Sequence, residues 1–188
     1  MQGRQHSRTA ICLLTVAALA SAPACGTGRE AVVQPPAHPA AEHAKDRNAD
    51  EQAAGKAALN AYSGYLAASR TAGRRSDPHA PELSRFLADP LLTRVRMAIR
   101  EAKEHGAMRT GTLKSDPTVT AVSLDSVPAT VEIQDCLDAT GYRLVYAKDQ
   151  RVVPGSGAKR YLATATATRY PDGRWLISAG AAHQDQPC

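Results

Sequence analysis

The feature that most constrains the fold is a change of hydrophobic period at Gly106. Before Gly106, large apolar residues recur every three or four positions, which is the period of one helix face. After Gly106 they alternate with polar residues, as in strands that bury one side. Helices followed by a run of antiparallel strands are typical of the α+β class, with the helices gathered on one face of the sheet. We therefore expect an α+β domain over residues 51–188.

Three helices are predicted before this change. The first covers residues 51–73 and ends at Gly73, a residue suited to a C-terminal cap. A short helical turn carries Leu83 and Phe86, and Asp89-Pro90 is a start signal for a third helix that Gly106 ends. The face of the first helix consists of Leu59, Tyr62, Tyr65, Leu66 and Ser69.

Strands are predicted in "MRTGTLKS", "TVTAVSLD", "ATVEIQDCL", "YRLVYA", "KRYLATATATRY" and "RWLISAGAA". Pro171-Asp172-Gly173 joins the last two in a hairpin, because proline presets one turn angle and glycine tolerates a positive φ. We also expect a hairpin at residues 154–157, between the fourth and fifth strands. The Ala/Thr alternation in "ATATAT" predicts a strand with one packed face and one wet face.

The first 24 residues have the layout of a secretory signal peptide. A basic start precedes an apolar run of about 14 residues, which is shorter than the roughly 20 that a spanning helix needs. Ala20-Ser21-Ala22 fits an ordinary cleavage site, whereas Ala22-Pro23-Ala24-Cys25 resembles the lipobox of bacterial lipoproteins, with Ala22 in place of a larger aliphatic residue. We expect removal of residues 1–24 and lipidation of Cys25; simple secretion and a cytosolic chain are the alternatives.

The cysteine count supports lipidation. After removal of the signal, Cys25, Cys136 and Cys188 remain, an odd number for an oxidising compartment. A lipid on Cys25 leaves Cys136 and Cys188 to form a disulfide. A metal or redox pair is the alternative, but no C-x-x-C motif or histidine cluster accompanies either cysteine.

Residues 25–50 are rich in alanine, proline and scattered charge, and they contain almost no large apolar residue. This composition predicts a disordered tether that holds the domain away from the membrane. The predicted location is the outer face of the cytoplasmic membrane, because the two chains of a diacylglyceryl group anchor stably.

The charge balance does not indicate a nucleic-acid partner. Removal of Arg4 and Arg8 lowers the formal net charge from +5 to +3, and no basic block is interleaved with aromatic residues. The densest basic cluster is "RTAGRR", residues 70–75. We interpret it as a solvated helix end, with contact to anionic lipid head groups as the alternative.

The chain resembles small secreted lipoproteins of actinobacteria with an NTF2-like (cystatin-like, SnoaL-like) domain. The similar segments lie within residues 54–188 and include "DPLLTRVRMAIREAKEHG", "GTLKSDPTVTAVSLD", "DCLDATGYRLV", "YLATATATRY" and "GAAHQDQPC". The resemblance implies export and N-terminal helices packed on a curved antiparallel sheet, the NTF2-like cone. It implies no substrate.

Three residues are candidates for catalysis. Asp135 and Asp138 flank Cys136, and a disulfide to Cys188 would bring His183 near them. Enzymes of the NTF2-like superfamily often place an Asp and a His in the cone, where burial can convert the carboxylate into a base. Turn formation or solvent exposure is the alternative role for these residues.

The aromatic residues Tyr142, Tyr161 and Trp175 lie in the strand half of the chain. We interpret them as core residues or as the lining of a pocket for a small apolar ligand. No G-x-S-x-G, H-E-x-x-H or Walker motif occurs, which weakens an enzymatic interpretation without excluding it. We expect neither cofactor nor metal. The leading hypothesis is a non-catalytic domain that binds a small molecule or an envelope protein. A cone-type hydrolase or isomerase and an accessory subunit with an exposed apolar patch are the alternatives.

Overall fold

The computed structural model describes residues 39–157 and 159–188, and three helices precede six strands in this part of the chain. The helices are α1 (Pro39–Arg75), α2 (Leu83–Phe86) and α3 (Leu91–Glu104). The strands are β1 (Ala107–Gly111), β2 (Pro117–Ser123), β3 (Thr130–Asp138), β4 (Tyr142–Tyr146), β5 (Arg160–Arg169) and β6 (Trp175–His183). The predicted α+β class and the order of its elements are confirmed.

Helix α1 begins at Pro39, inside the segment expected to be a tether. Residues 39–50 are helical because alanine, glutamate and lysine favour a helix, and proline is tolerated in the first turn. Side chains 45–50 are exposed, and Arg47 forms an ion pair with Asp125, which follows β2 (3.2 Å). The remainder of the tether lies outside the described residues.

The end of α1 also differs from the expectation. Gly73 is inside the helix and buried, and Ser76, with a φ of 51°, is the residue in the left-handed conformation after the last turn. A Cβ atom at Gly73 would lie 3.4 Å from both Arg109 Cβ and Tyr142 Oη. The glycine therefore allows α1 to pass close to β1 and β4 instead of ending the helix.

Helix α3 begins where the sequence predicts. The Asp89 carboxylate accepts hydrogen bonds from the Thr93 backbone N–H (3.1 Å) and hydroxyl (2.6 Å), which satisfies a donor of the first turn. Leu91, Leu92 and Ile99 are buried on one face. Gly106, with a φ of 63°, follows the helix and leads into β1.

The strands form two antiparallel sheets. Strands β2, β3, β5 and β6 are neighbours in that order, and β1 pairs separately with β4. The hairpin expected at residues 154–157 is therefore wrong, since β4 and β5 lie in different sheets. Glycine explains part of this pairing: Gly111 has a φ of 99°, and a Cβ there would collide with the carbonyl oxygen of Gly141.

The predicted β5–β6 hairpin is confirmed. The Gly173 N–H donates to the Tyr170 carbonyl, and Gly173 has a φ of 84°. On β5, Ala163, Ala165 and Ala167 are buried, whereas Thr164 and Thr166, with side chains on the opposite face, are only half-buried. The alanines share the face that carries the core residues Val131 and Ile133 of β3, so this face of the sheet is packed.

Candidate functional site

A cavity of about 580 Å³ lies between helices α1 and α3 and the strands. Its apolar lining comes mainly from Leu66 of α1, Val95 and Ile99 of α3, and Leu137 of β3. The segment that precedes β5 contributes Gly155, Ser156, Gly157 and Lys159. The cavity is open to solvent on one side, and its volume is in the range of pockets that hold small molecules, about 300–1,000 Å³.

Two of the three aromatic residues expected at a pocket line this cavity. Tyr142 and Tyr161 are lining residues, and Tyr65 of α1 joins them. Trp175 is not among the lining residues: it pairs with Arg169 beside the β5–β6 turn and packs against the core. Its place at the turn end of β6 separates it from Ala182, the β6 residue that lines the cavity.

The tyrosine hydroxyls of the cavity are neutral donors. Burial raises the pKa of Tyr65, Tyr142 and Tyr161 above the ordinary value of 10.0. The positive charge of Arg109 opposes this rise in pKa at Tyr142 and Tyr161, and Arg70 opposes it at Tyr142. The cavity therefore presents phenol O–H groups and guanidinium groups close together.

Three cationic residues line the cavity, namely Arg70, Arg109 and Lys159, and no Asp or Glu is among its lining residues in the described part of the chain. The Arg109 guanidinium lies over the Tyr142 ring, 5.6 Å from the ring centroid. The ion pairs found between described residues involve other cations. Arg70 Nε and Ser69 Oγ are buried without a hydrogen-bond partner among the described residues.

Asp135 is a buried structural carboxylate. It is 1 % exposed and lies outside the cavity lining. Its oxygens accept hydrogen bonds from the Tyr62 hydroxyl (3.1 Å), the Ser115 hydroxyl (2.7 Å) and the Asp116 backbone N–H (2.9 Å). Burial, together with the charge of Asp135, raises the pKa of Tyr62 well above its ordinary range. This carboxylate joins α1, β3 and the segment before β2.

The structure does not bring Asp135 and His183 together. Across the sheet, Asp135 is opposite Ala163, which is opposite Ala182, whereas Leu162 is opposite both Cys136 and His183. Because neighbouring side chains on a strand point to opposite faces, Asp135 and His183 lie on opposite faces of the sheet. His183 Nε2 instead lies 3.1 Å from the Thr164 hydroxyl.

Asp138 forms a turn, which is one of the two roles that the sequence suggests for it. Its carboxylate accepts hydrogen bonds from the Thr140 backbone N–H (3.0 Å) and hydroxyl (2.7 Å), and these bonds lower the pKa of Asp138. Asp138 lies on β3 and His183 on β6, with β5 between them. The two strands are thus about 10 Å apart, and the Asp138 carboxylate and His183 Nε2 contact Thr140 and Thr164 instead of each other.

The predicted disulfide between Cys136 and Cys188 is present, with 5.7 Å between the two Cα atoms. It ties the C-terminal tail to β3. The backbone supports the same path, because the Leu162 N–H donates to the Gln186 carbonyl (2.9 Å). The tail therefore runs beside β5 after β6 ends.

The predictions for residues 1–24 and for Cys25 lie outside the described residues. Within the described part, no helix is long and apolar enough to cross a membrane. The same part of the chain holds no group of three or more His, Cys, Asp or Glu residues arranged for a metal ion.

Sequence reasoning missed the cations of the cavity. Arg70 begins the "RTAGRR" cluster, for which the sequence favours a solvated helix end. That interpretation fits Arg74 and Arg75, which are exposed in the last turn, but Arg70 lines the cavity. The residue spacing indicates this position: Arg70 follows the apolar residue Leu66 by four residues and therefore lies on the same face of α1.

Comparisons with known proteins give no family and a distant structural similarity. No protein-family model matches the chain, and no match was found among curated proteins. The chain is similar to the crystal structure of the intermembrane space region of the chloroplast protein ARC6, with 18 % identity and a TM-score of 0.48. The alignment covers 68 % of this chain and 95 % of that one. Similarity at this level carries no information about a ligand or a location.

Proposed function

We propose that this protein is a lipid-anchored, extracytoplasmic domain that binds a small molecule in the cavity and catalyses no reaction. We also propose that its α+β fold is an NTF2-like cone. The cavity of about 580 Å³ is the observation that carries the binding proposal. Its walls combine apolar side chains with a few convergent polar groups, which is the composition of small-molecule sites.

The arrangement of the candidate acids and base supports a non-catalytic role. A catalytic Asp/His pair needs hydrogen-bond reach between its members and access to a substrate. Asp135 has its oxygens occupied by three donors, and Asp138 is held by Thr140. His183 lies on the face opposite Asp135 and outside the cavity lining.

An accessory subunit that docks through an apolar sheet face has less support. The exposed large hydrophobic residues of the described chain are Met97, Val127 and Val152. None of them lies in a strand of the four-stranded sheet, and single exposed apolar residues are ordinary on protein surfaces. The apolar patch that such a docking role requires is therefore not found on the described strands.

Export and anchoring remain proposals that the sequence supports. The disulfide is consistent with a protein that is completed outside the cytoplasm. We expect the Cys25→Ala variant to leave the membrane fraction for the medium, because the lipid has no other attachment point. A Cys12→Ala variant, which keeps Cys25 and the Cys136–Cys188 disulfide, is the matched control. Membrane fractionation of the Cys25→Ala variant like the unsubstituted protein would contradict lipidation.

The binding proposal is tested with N-phenyl-1-naphthylamine (NPN), a neutral apolar probe that fluoresces when it leaves water. We expect one NPN molecule to bind per protein. The Ala102→Phe variant should lose this binding, because Ala102 lines the cavity on α3 and the added ring occupies it. Met97→Phe is the matched control, since Met97 is on the same helix, 59 % exposed and outside the lining. Equal binding by both variants would refute the cavity as the ligand site.

A further inference from the structure

We propose that the cavity selects ligands that carry an acidic group, a carboxylate or a phosphate, and that Arg70 and Arg109 bind this group. The ligand class is a small amphipathic anion whose apolar body lies against α1, α3 and β3. This inference rests on the proposed function, because it assigns the chemistry of the molecule that the cavity holds.

The two guanidinium groups converge from different elements. Arg70 and Gly73 are three residues apart and share one face of α1. A Cβ atom at Gly73 would lie 3.4 Å from Arg109 Cβ on β1 and 3.4 Å from Tyr142 Oη on β4. Arg109 in turn lies over the Tyr142 ring. Helix α1 and the β1–β4 pair thus bring Arg70, Arg109 and Tyr142 to one end of the cavity.

The positive charge of this end has no carboxylate beside it among the described lining residues. Arg70, Arg109 and Lys159 line the cavity without an Asp or Glu among the lining residues of the described chain. The buried carboxylate of Asp135 lies outside the lining, where it accepts hydrogen bonds from Tyr62, Ser115 and Asp116 and forms no ion pair with Arg70, Arg109 or Lys159. Unbalanced cations around a partly enclosed space concentrate a positive potential there and attract anions.

A general excess of basic residues does not explain this pattern. A second, more open groove lies between the N-terminal half of α1 and the end of β2 with the segment after it, and it has the opposite charge. Asp46, Asp50, Glu51 and Asp125 line that groove, and Arg47 is its lone cation among the described residues. Among the described residues, the grouping of cations without acids therefore distinguishes the cavity between α1 and α3 from this groove.

Among the described residues, no acceptor faces one buried donor of Arg70. Its Nε is buried without a hydrogen-bond acceptor among the described residues, and so is the adjacent Ser69 Oγ. A buried charged donor without an acceptor costs free energy. An acidic ligand group supplies that acceptor, and the planar guanidinium matches carboxylate and phosphate with two parallel hydrogen bonds. The neutral Tyr142 hydroxyl is an additional donor at the same place.

Two matched probes test the inference. NPN and 1-anilinonaphthalene-8-sulfonate (ANS) share one aromatic body, and ANS adds a single negative charge. We expect the full-length protein to bind ANS at least about tenfold more tightly than NPN in low salt, and we expect the difference to shrink as salt is added. Equal affinities for the two probes would overturn the proposal.

Substitutions test whether Arg70 and Arg109 cause the preference for the anionic probe. We expect Arg70→Gln and Arg109→Gln each to weaken ANS binding roughly tenfold, with NPN binding changed by less than about twofold. Retained NPN binding shows that the cavity is intact in the variant. Arg143→Gln removes the same charge from β4 beside Tyr142 but outside the lining, so it should leave both affinities unchanged. Loss of ANS binding in Arg143→Gln to the same extent would overturn the assignment.

Competition separates the two acidic groups. Octanoate carries a carboxylate, octyl phosphate carries a phosphate, and octylamine and octanol carry neither. The proposal expects displacement of ANS by at least one of the two anions and weaker displacement by octylamine and octanol. The stronger anionic competitor identifies the group. Binding of neither probe, or binding that Ala102→Phe leaves unchanged, would instead refute the cavity as a ligand site.

Discussion

The buried carboxylate of Asp135 allows a sharp prediction for stability. In the Asp135→Ala variant, the Ser115 hydroxyl and the Asp116 N–H lose their acceptor but belong to exposed residues, so water can replace it. The Tyr62 hydroxyl cannot be hydrated in this way, because Tyr62 is 2 % exposed. A buried donor without an acceptor costs about 1–3 kcal/mol, and the lost carboxylate volume adds about 1 kcal/mol. We therefore expect the free energy of unfolding to fall by roughly 2–4 kcal/mol.

The measurement is urea unfolding followed by the fluorescence of Trp175, the single tryptophan of the chain. Glu132→Ala is the matched control: it removes a carboxylate from the same strand, where Glu132 is exposed and on the opposite face. We expect this control to change the free energy of unfolding by less than about 0.5 kcal/mol.

A double-mutant cycle tests the cause. Tyr62→Phe removes the hydroxyl that Asp135→Ala leaves without an acceptor. In the Asp135→Ala background, Tyr62→Phe should therefore cost less free energy of unfolding than it does in the unsubstituted protein. The reasoning is refuted if Asp135→Ala is as stable as Glu132→Ala, or if the two substitutions are simply additive.

Three further predictions concern packing, the disulfide and alkaline pH. Both Gly64 and Gly73 are inside α1, but a Cβ at Gly64 collides with the Phe86 ring. Calorimetry should therefore show Gly64→Ala destabilised by about 1–2 kcal/mol relative to Gly73→Ala, and equal melting temperatures would contradict this. Replacement of Cys136 and Cys188 by serine should lower the free energy of unfolding by about 4 kcal/mol, because the disulfide closes a loop with a sequence separation of 52. Unchanged urea unfolding would refute this prediction. Burial raises the pKa of four tyrosines above 10.0 in the folded protein, so the unfolded chain loses these protons at lower pH. Stability should therefore be constant below about pH 9 and fall above about pH 10. The urea midpoint measures this, and a midpoint that does not change at alkaline pH would contradict it.

Local signals in the sequence were sufficient for the elements and for one hairpin. The Asp89-Pro90 start, the glycine after α3 and the Pro171-Asp172-Gly173 turn act through residues within a few positions of each other. The disulfide was also predictable, because it follows from a count of cysteines and from the expected compartment. Each of these inferences needs no knowledge of which strands pair.

The site required strand pairing and register. The alternation of apolar residues reveals that β4 has two faces, but it does not identify β1 as the partner of β4. A catalytic pair of Asp135 and His183 is plausible from the chain order, and the register across β5 places the two on opposite faces. A shift of one residue in that register would reverse the result, because side chains alternate along a strand.

The sequence by itself determined the α+β class, the helix and strand order and the Cys136–Cys188 pair, because these depend on period, turn chemistry and composition. Only the tertiary structure decided that Arg70 and Arg109 meet at one cavity and that Asp135 is enclosed by its donors. Those contacts join residues far apart in the chain. They depend on how α1 crosses the strands, which no local pattern specifies.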